Sequence, residues 1–310
     1  SLMSARSVLD ALDHQKYTII EIGIDLNGVW WTGDHVLESL SSKQTQALTP
    51  VAILPDPTRP GLFSLKSAAH LELLSRLDVV FPVVHGTYGE DGTLQGLLEL
   101  ADLAYVGGGV LASAVGMDKC LFKDVMRANK IPVVDSLLFT RADLETGIES
   151  ILQQVEDTFS YPVFVKPVNL GSSVGITRCT SRSCLLEGLM DAARFDRRVL
   201  VERGINAREL EVSVLGNENP VASAPGEIQP QEDFYTYSAK YLTNQSRRVI
   251  PAQLDETTSR AISETAVRAY KAIDGAGLAR VDFLLDRTTG MFYLGEVNTI
   301  PGFTAISMYP

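Results

Sequence analysis

Hydrophobic and polar positions along the chain follow two periods, one typical of strands and one typical of helices. Residues 77–84 and 161–166 are short and largely apolar, as strands are. Apolar residues also recur every three or four positions, as at Leu144, Ile148 and Ile151, which predicts a helix. The alternation predicts an α/β protein. Residues 77–84 are almost continuously apolar, as expected of a strand that is buried on both faces. This run predicts a parallel sheet near the N-terminus.

Further elements follow from the same periods and from turn residues. Residues 93–100, 111–117 and 119–129 read as helices, and Asp255 is placed to cap another. Two apolar runs, residues 281–285 and 292–297, are separated by Thr289 and Gly290 and predict an antiparallel strand pair. Residues 229–245 are polar and aromatic without a period, which favours a mobile functional loop.

Composition excludes several classes of protein. The chain has 310 residues, enough for two or three domains of average size. Its 27 basic and 38 acidic residues give a net charge of −11, which argues against nucleic acid as a partner. No run reaches the roughly 18 apolar residues of a membrane span. The three cysteines lack zinc-site spacing and predict free thiols. We therefore expect a cytoplasmic protein without a membrane partner.

The densest group of polar residues lies near the C-terminal end. Arg280 and Asp282 are two apart on one predicted strand, and Glu296 and Asn298 are two apart on the next, so each pair shares a face. Carboxylate and amide oxygens are ligands for Mg²⁺ or Mn²⁺. The alternative is a solvated sheet face on which Arg280 neutralises Asp282. The apolar framing of these residues favours the metal site.

Three other segments carry candidate chemistry, each with a plain alternative. Lys166 is followed by a Gly-Ser-Ser-Val-Gly loop at residues 171–175, which could cover a phosphate chain or form a simple hairpin turn. Lys119 at a helix start could bind a ligand or be a solvated surface residue. His85 follows an apolar run and so lies at the end of a predicted strand, where open α/β sheets bind ligands. The alternative is that His85 only caps that strand.

Together these segments resemble a known family. Three lysines (Lys119, Lys166 and Lys240), Arg280 and an oxygen-rich metal site could neutralise a Mg²⁺-triphosphate on an acidic protein. The longer motifs, in order, are HGxxGEDGxxQG (85–96), GxDK (116–119), VKPxxxGSSVG (165–175), RELE (208–211), YxAKY (237–241), ARVD (279–282) and GEVNTxPGFT (295–304). They resemble those of D-alanine–D-alanine ligases of the ATP-grasp superfamily, in family order over nearly the whole chain.

The resemblance implies a three-domain ATP-grasp fold of the α/β class. Residues 1–107 would form an N-terminal domain with an open parallel sheet, on the side of the first substrate. Residues 108–206 would form the central lid domain. Residues 207–310 would form the C-terminal domain with the mobile loop and the metal site. The implied cofactors are ATP and two Mg²⁺ or Mn²⁺ ions.

The resemblance also assigns residues to the binding of ATP and metal ions. Asp282, Glu296 and Asn298 would hold the two ions. The residues expected to bind the nucleotide are Lys119 and Lys166 on the phosphates, Ser172 and Ser173 in the covering loop, Glu202 at the adenine, Glu209 at the ribose and Lys240 at the γ-phosphate.

The remaining implied residues concern catalysis and the second substrate. Arg280 and the Gly302 amide would stabilise the oxyanion, and Ser307 would hold the carboxylate of the second substrate. Tyr241 would hydrogen-bond to Ser172 and order the loop, and His85 is a further catalytic candidate. The tyrosines of the loop favour an amine as the second nucleophile.

The activity implied is ATP-dependent ligation of two D-alanines through an acylphosphate, for peptidoglycan precursor synthesis, by a homodimer. Alternatives are a D-alanine–D-lactate or D-alanine–D-serine ligase, another ATP-grasp carboxylate–amine ligase, or a non-catalytic nucleotide-binding protein. Family members begin with a strand and a Gly-Gly-x-Ser-x-Glu segment and end with a helical segment, and neither is in the printed sequence. Because the other motifs are intact, we expect both segments in the full protein.

Overall fold

The computed structural model describes residues 1–67, 70–171, 174–229 and 247–310. Four predicted site residues, Ser172, Ser173, Lys240 and Tyr241, lie outside the described residues, as does most of the loop predicted at 229–245. The described parts form three sheets with helices between them, so the predicted α/β class is confirmed. No helix within these ranges has the length and apolarity needed to span a bilayer.

The N-terminal part holds a five-stranded sheet with the strands in chain order. Its elements and the helices that follow are α1 (Leu2–Ala11), β1 (Ile22–Ile24), β2 (Trp30–Thr32), α2 (Val36–Ser41), β3 (Thr49–Ile53), β4 (Leu62–Ser64), β5 (Glu72–Ser75), α3 (Thr93–Leu100), α4 (Val110–Met117) and α5 (Lys119–Ala128). Every described strand pair in this sheet is antiparallel. The prediction of a parallel N-terminal sheet was therefore wrong.

Two local features explain the antiparallel sheet. Asp25 accepts hydrogen bonds from the backbone N–H groups of Asn27 (2.8 Å) and Val29 (3.0 Å), which closes a tight turn between β1 and β2. A connection this short can join only antiparallel neighbours. Residues 77–84 form a single parallel bridge, from Val80 to Tyr105, instead of a strand. Pro82 lacks the N–H that would extend such a ladder.

The middle of the chain forms a four-stranded antiparallel sheet in the order β6-β9-β7-β8. Its elements are β6 (Ser136–Thr140), α6 (Arg141–Thr158), β7 (Val163–Pro167), β8 (Thr177–Cys179), α7 (Arg182–Phe195) and β9 (Arg198–Arg203). Thr140 and Asp143 form a capping box at the start of α6. Apolar residues of both helices, among them Val155 and Leu189, are fully buried against the sheet.

The C-terminal part forms a six-stranded antiparallel sheet, ordered β13-β12-β10-β14-β15 with β11 beside β10. Its elements are β10 (Ala207–Leu215), β11 (Val221–Ala222), β12 (Gly226–Gln229), β13 (Arg247–Val249), α8 (Glu256–Ala272), β14 (Leu278–Asp286) and β15 (Phe292–Asn298). Tyr270 of α8 is buried in this core, and its hydroxyl donates to the Gly216 carbonyl at 2.9 Å. Phe122 and Met126 of α5 pack into the same core.

The predicted helices and the predicted hairpin are confirmed, unlike the predicted parallel sheet. The helices predicted at 93–100, 111–117 and 119–129 are α3, α4 and α5 within one residue at each end. Asp255 accepts a hydrogen bond from the Thr258 N–H at 2.9 Å and so caps α8. The antiparallel pair predicted across Thr289 and Gly290 is β14 and β15.

A bulge shapes the pairing of β14 with β15. Asp282 is opposite Glu296, but the next pair is Phe283 with Leu294, so Gly295 is the extra residue. Without a bulge, residues three apart on a strand face opposite sides. Leu294 and Val297 are both buried because the bulge restores them to one face. Glu296 and Asn298 consequently point away from the core, on the face that carries the charged residues.

Candidate active site

A row of carboxylates crosses three neighbouring strands of the C-terminal sheet. The strand register places Glu211 of β10 beside Asp282 of β14, and Asp282 beside Glu296 of β15. Arg280 binds Asp282 through two nitrogens, with Nε–Oδ1 at 2.7 Å and Nη2–Oδ2 at 2.6 Å. Its Nε is also 3.5 Å from Glu211 Oε2. Burial opposes the charge of Arg280, but Asp282 and Glu211 outweigh it and raise its pKa well above the usual value.

The three predicted metal ligands lie together in this row. Asn298 Nδ2 donates to Asp282 Oδ2 at 3.0 Å and lies 3.5 Å from Glu296 Oε1. A half-turn of that amide would place its oxygen beside the carboxylate oxygens, and the three side chains would then offer only oxygen ligands, which fit a hard divalent cation. Among the described residues, no group of three or more His, Cys, Asp or Glu side chains is placed to hold a metal ion. Asp282 and Glu296 therefore need the amide of Asn298 as their third ligand. The ion pair between Arg280 and Asp282, on which the alternative of a solvated sheet face was based, is present as well.

The predicted phosphate lysines converge from different elements. Lys119 begins α5, which Asp118 caps by accepting from the N–H groups of Cys120 and Leu121. Its Nζ donates to the carbonyl oxygens of Leu170 and Val168, the latter at 3.4 Å. These carbonyls immediately precede the Gly-Ser-Ser-Val-Gly loop. Lys119 therefore ties α5 to the base of that loop.

A buried carboxylate joins the second predicted lysine to one that sequence reasoning missed. Glu202 of β9 pairs with Lys166 of β7 and, at 2.8 Å, with Lys123 of α5. Burial would raise the pKa of Glu202, but the two ammonium groups outweigh it and hold the pKa at about 2. The sequence did carry a signal for Lys123. It is four residues after Lys119, so both lie on one face of the helix.

Charge links the lysine cluster to the carboxylate row. Burial lowers the pKa of Lys119, and the carboxylates of Glu296 and Glu202 oppose that shift. The Lys119 ammonium thus lies within electrostatic range of a predicted metal ligand and of the buried lysine pair. Glu209, the predicted ribose ligand, is half-buried on β10 and shares a face with Glu211.

The His85 segment approaches the same region from the N-terminal part. The ring nitrogens of His85 contact the Ile300 carbonyl oxygen (3.1 Å) and Ser4 Oγ (2.9 Å). Burial lowers the pKa of His85 to about 4, so the ring is neutral at pH 7. Glu90, which sequence reasoning did not select, accepts the Gly86 N–H at 2.6 Å. Burial raises the pKa of Glu90 to about 7 against the opposing effect of hydrogen bonds from Gly86 and Ile300.

The segment after β15 brings Gly302 and Ser307 together. A Cβ added at Gly302 would lie 2.7 Å from Ser307 Oγ, so any larger residue there would displace the Ser307 hydroxyl. The Ser307 hydroxyl is 3.1 Å from that of Thr304, and the Ser307 N–H donates to the Thr304 carbonyl at 2.8 Å. The predicted oxyanion donor and the predicted carboxylate ligand are therefore neighbours.

Lysines within electrostatic range of an oxygen-rich carboxylate row, on an α/β fold with three sheets, are typical of an ATP-grasp ligase. Comparisons with known proteins agree. Residues 1–108 match the family model described as D-ala D-ala ligase N-terminus, and residues 125–310 match the one described as D-ala D-ala ligase C-terminus. The chain belongs to the D-alanine–D-alanine ligase family, a family of ATP-dependent ligases.

Individual relatives resemble the chain over its whole length. A D-alanine–D-alanine ligase of Heliobacterium modesticaldum is 49% identical over 310 residues, covering 100% of this chain and 84% of that protein. One of Acetivibrio thermocellus is 46% identical, with 100% and 86% covered. Among solved structures, the VanG D-Ala:D-Ser ligase from Enterococcus faecalis has a TM-score of 0.87 at 35% identity, with 100% and 88% covered. The D-alanine–D-alanine ligase from Coxiella burnetii has a TM-score of 0.83 at 36% identity, with 100% and 83% covered.

Proposed function

We propose that this chain joins two D-alanines into D-alanyl-D-alanine with cleavage of ATP to ADP and phosphate, as a step of peptidoglycan precursor synthesis. One observation carries the proposal beyond family membership. The Lys119 ammonium lies within electrostatic range of both the Lys166–Glu202 pair and Glu296, so the expected phosphate-binding cations and metal-binding anions act on one region. A triphosphate with divalent cations matches that distribution of charge.

The nucleotide would lie between residues 108–206 and residues 207–310, with residues 1–107 on the side of the first substrate. Three of the four hydrophobic clusters found among the described residues lie within single parts of this division. The fourth joins α4 and α5 to the C-terminal sheet, so the start of the central part would be anchored to the C-terminal part. Lys119 and Lys166 would contact the phosphates, Glu202 the adenine and Glu209 the ribose.

Asp282, Glu296 and Asn298 would hold two Mg²⁺ or Mn²⁺ ions. Bound there, the ions would neutralise the phosphate oxygens and so favour phosphoryl transfer. Arg280 fixes the Asp282 carboxylate through Nε and Nη2 and thereby orients one ligand of the set. The third nitrogen of its guanidinium, Nη1, is not used by that pair.

The reaction would take two steps. The carboxylate of the first D-alanine attacks the γ-phosphorus of ATP, the bond to the bridging oxygen breaks, and ADP leaves. The amine of the second D-alanine then attacks the carbonyl carbon of the acylphosphate. The tetrahedral intermediate expels phosphate, and the amine proton is lost to a base. Arg280 and the Gly302 N–H would be the donors to its oxyanion, and one such donor lowers the barrier by about 3 kcal/mol.

The second substrate would be held by the segment that follows β15. Ser307, whose hydroxyl lies beside Gly302, would bind its carboxylate. His85 is neutral at pH 7 and bonded to the Ile300 carbonyl, so it would position this segment without adding charge. Ser172, Ser173, Lys240 and Tyr241, outside the described residues, would close over the reacting groups and exclude water.

A D-alanine–D-serine ligase is the second candidate, because the VanG D-Ala:D-Ser ligase has the same fold at a TM-score of 0.87. The test supplies purified protein with ATP, Mg²⁺ and D-alanine, and measures phosphate release and dipeptide by mass spectrometry. Parallel reactions add D-serine or D-lactate in equal amounts. Preferential formation of D-alanyl-D-serine would favour the second candidate, and preferential formation of D-alanyl-D-lactate would favour a D-alanine–D-lactate ligase. Absence of phosphate release that depends on D-alanine would refute ligation altogether.

We also propose a homodimer and a cytoplasmic location, the compartment in which ATP is available. Light scattering of the purified protein reports the dimer directly, and a monomer mass at micromolar concentration would contradict it. Replacing Mg²⁺ by Mn²⁺ in the phosphate-release assay compares the two ions. Cell fractionation reports the compartment.

A further inference from the structure

Three charged side chains meet between α5, β7 and β9. Lys123 Nζ lies 2.8 Å from Glu202 Oε1, and it donates a second hydrogen bond, of 2.9 Å, to the Val134 carbonyl. Lys166 binds the other oxygen of the same carboxylate, Oε2. Each oxygen of Glu202 therefore has its own lysine.

The two lysines differ in their access to solvent. The Lys123 side chain is 3% exposed, and the Lys166 side chain is 22% exposed. Lys123 is fixed by a carbonyl oxygen as well as by Glu202, whereas Lys166 lies at the open side of the group, 6.0 Å from the centre of the Phe164 ring. Lys166 is therefore the member that can turn towards a ligand.

Charge balance decides whether that turn is possible. The Glu202 side chain is 8% exposed, and a buried carboxylate that loses its only counter-ion bears a large desolvation cost. With two lysines present, the departure of Lys166 leaves a one-to-one pair. With Lys166 alone, the departure would leave an unpaired buried charge. The cation that remains is Lys123, which is four residues after Lys119 on α5.

We propose that Lys123 is a positioning residue of the nucleotide site, which stays as the counter-ion of Glu202 when Lys166 turns towards the phosphates of ATP. This inference rests on the proposed function, since it takes ATP as the ligand of Lys166. Lys123 itself touches no substrate. It acts by making the Lys166–Glu202 pair exchangeable.

The ionisation of the group agrees with this role. Burial lowers the pKa of Lys123, and Glu202 opposes that effect, while the ammonium of Lys166 adds to it. The two lysines thus repel each other across one carboxylate. Removing Lys123 removes that repulsion, so Lys166 would bind Glu202 more tightly and be less available to phosphate.

The experiment compares Lys123→Met and Lys123→Gln with the unchanged protein. Met removes the charge at nearly constant volume, and Gln keeps a hydrogen-bond donor without charge. We expect both to raise the KM and Kd for ATP by roughly 10- to 100-fold, with the KM for D-alanine within about twofold. Lys271→Met, at an exposed position of α8, is the matched control for loss of one positive charge.

A double-mutant cycle with Glu202→Gln shows whether Lys123 acts through Glu202. We expect Lys123→Gln to weaken ATP binding much less when Glu202 is already Gln, because no buried charge is then left unpaired. A purely structural role would lower thermal stability and the active fraction, without a selective change in ATP binding. The neutral double variant buries no charge of this pair and so tests folding separately.

The outcomes separate this inference from the proposed function. If the unchanged protein releases no phosphate with D-alanine, the proposed function fails. If it is active and the Lys123 variants keep its Kd for ATP within about twofold, the role of Lys123 is refuted. Additive effects in the double-mutant cycle would refute it too.

Discussion

The partly buried carboxyl of Glu90 makes the stability of this protein depend on pH in a defined direction. Burial raises the pKa of Glu90 from its ordinary value of 4.5 to about 7. The folded state then binds the proton more tightly than the unfolded state does. The stabilisation is fully present below pH 4.5 and is lost as the pH rises through 7. Glu90→Gln stays neutral at every pH and lacks this loss.

The size of the effect follows from the shift. Between pH 5 and pH 8.5 the carboxyl loses at most about 2.5 kcal/mol of stabilisation, and its partial exposure reduces this to about 1–2 kcal/mol. For a chain of this size, 1 kcal/mol moves the Tm by about 2 °C. We therefore expect the Tm of Glu90→Gln, relative to the unchanged protein, to rise by about 2–4 °C across this range.

The assay is scanning calorimetry of both proteins at several pH values, in EDTA so that no divalent cation binds near Glu296. Taking the difference between the two proteins cancels the titration of the groups that do not interact with Glu90. Glu218→Gln, at an exposed position, makes the same chemical change at the surface and is the matched control. A flat or falling difference for Glu90→Gln would show that the pKa of Glu90 is not raised in the folded protein.

Three further substitutions test separate parts of the site and fold. Asp282→Asn removes a predicted metal ligand, so we expect turnover to fall on the order of 100-fold and the Mg²⁺ concentration for half-maximal rate to rise. Gly302→Ala places a methyl 2.7 Å from Ser307 Oγ, so the KM for the second D-alanine should rise about tenfold while the KM for ATP stays unchanged. Asp255→Ala removes the cap of α8 and should lower stability by about 1 kcal/mol, seen as a small fall in Tm, without loss of turnover.

Each of these expectations has a contrary result. An unchanged Mg²⁺ dependence in Asp282→Asn would place the metal elsewhere. Equal changes in the KM values of both substrates would show that Gly302→Ala disturbs the whole site. An unaltered Tm in Asp255→Ala would mean that the α8 cap contributes nothing measurable.

Local order was predictable wherever chemistry and spacing acted within a few residues. The cap at Asp255, the hairpin of β14 and β15 and the shared face of Arg280 and Asp282 all follow from short-range rules, and all are present. Gly295 inside an apolar run was an available sign of the bulge that sets Glu296 against Asp282. Residues 77–84 were misjudged because an apolar run does not show whether a partner strand exists.

The sequence by itself determined the α/β class, the family and the residue types expected to bind ATP and metal, because these depend on periodicity and on motifs contiguous in the chain. Only the tertiary structure decided which charged side chains lie close to one another. Lys123 and Glu202 are 79 positions apart in sequence and 2.8 Å apart in the fold. The partner of a buried charge is set by the packing of α5 against β9. No local pattern encodes that distance, and the charge balance of the proposed nucleotide site rests on it.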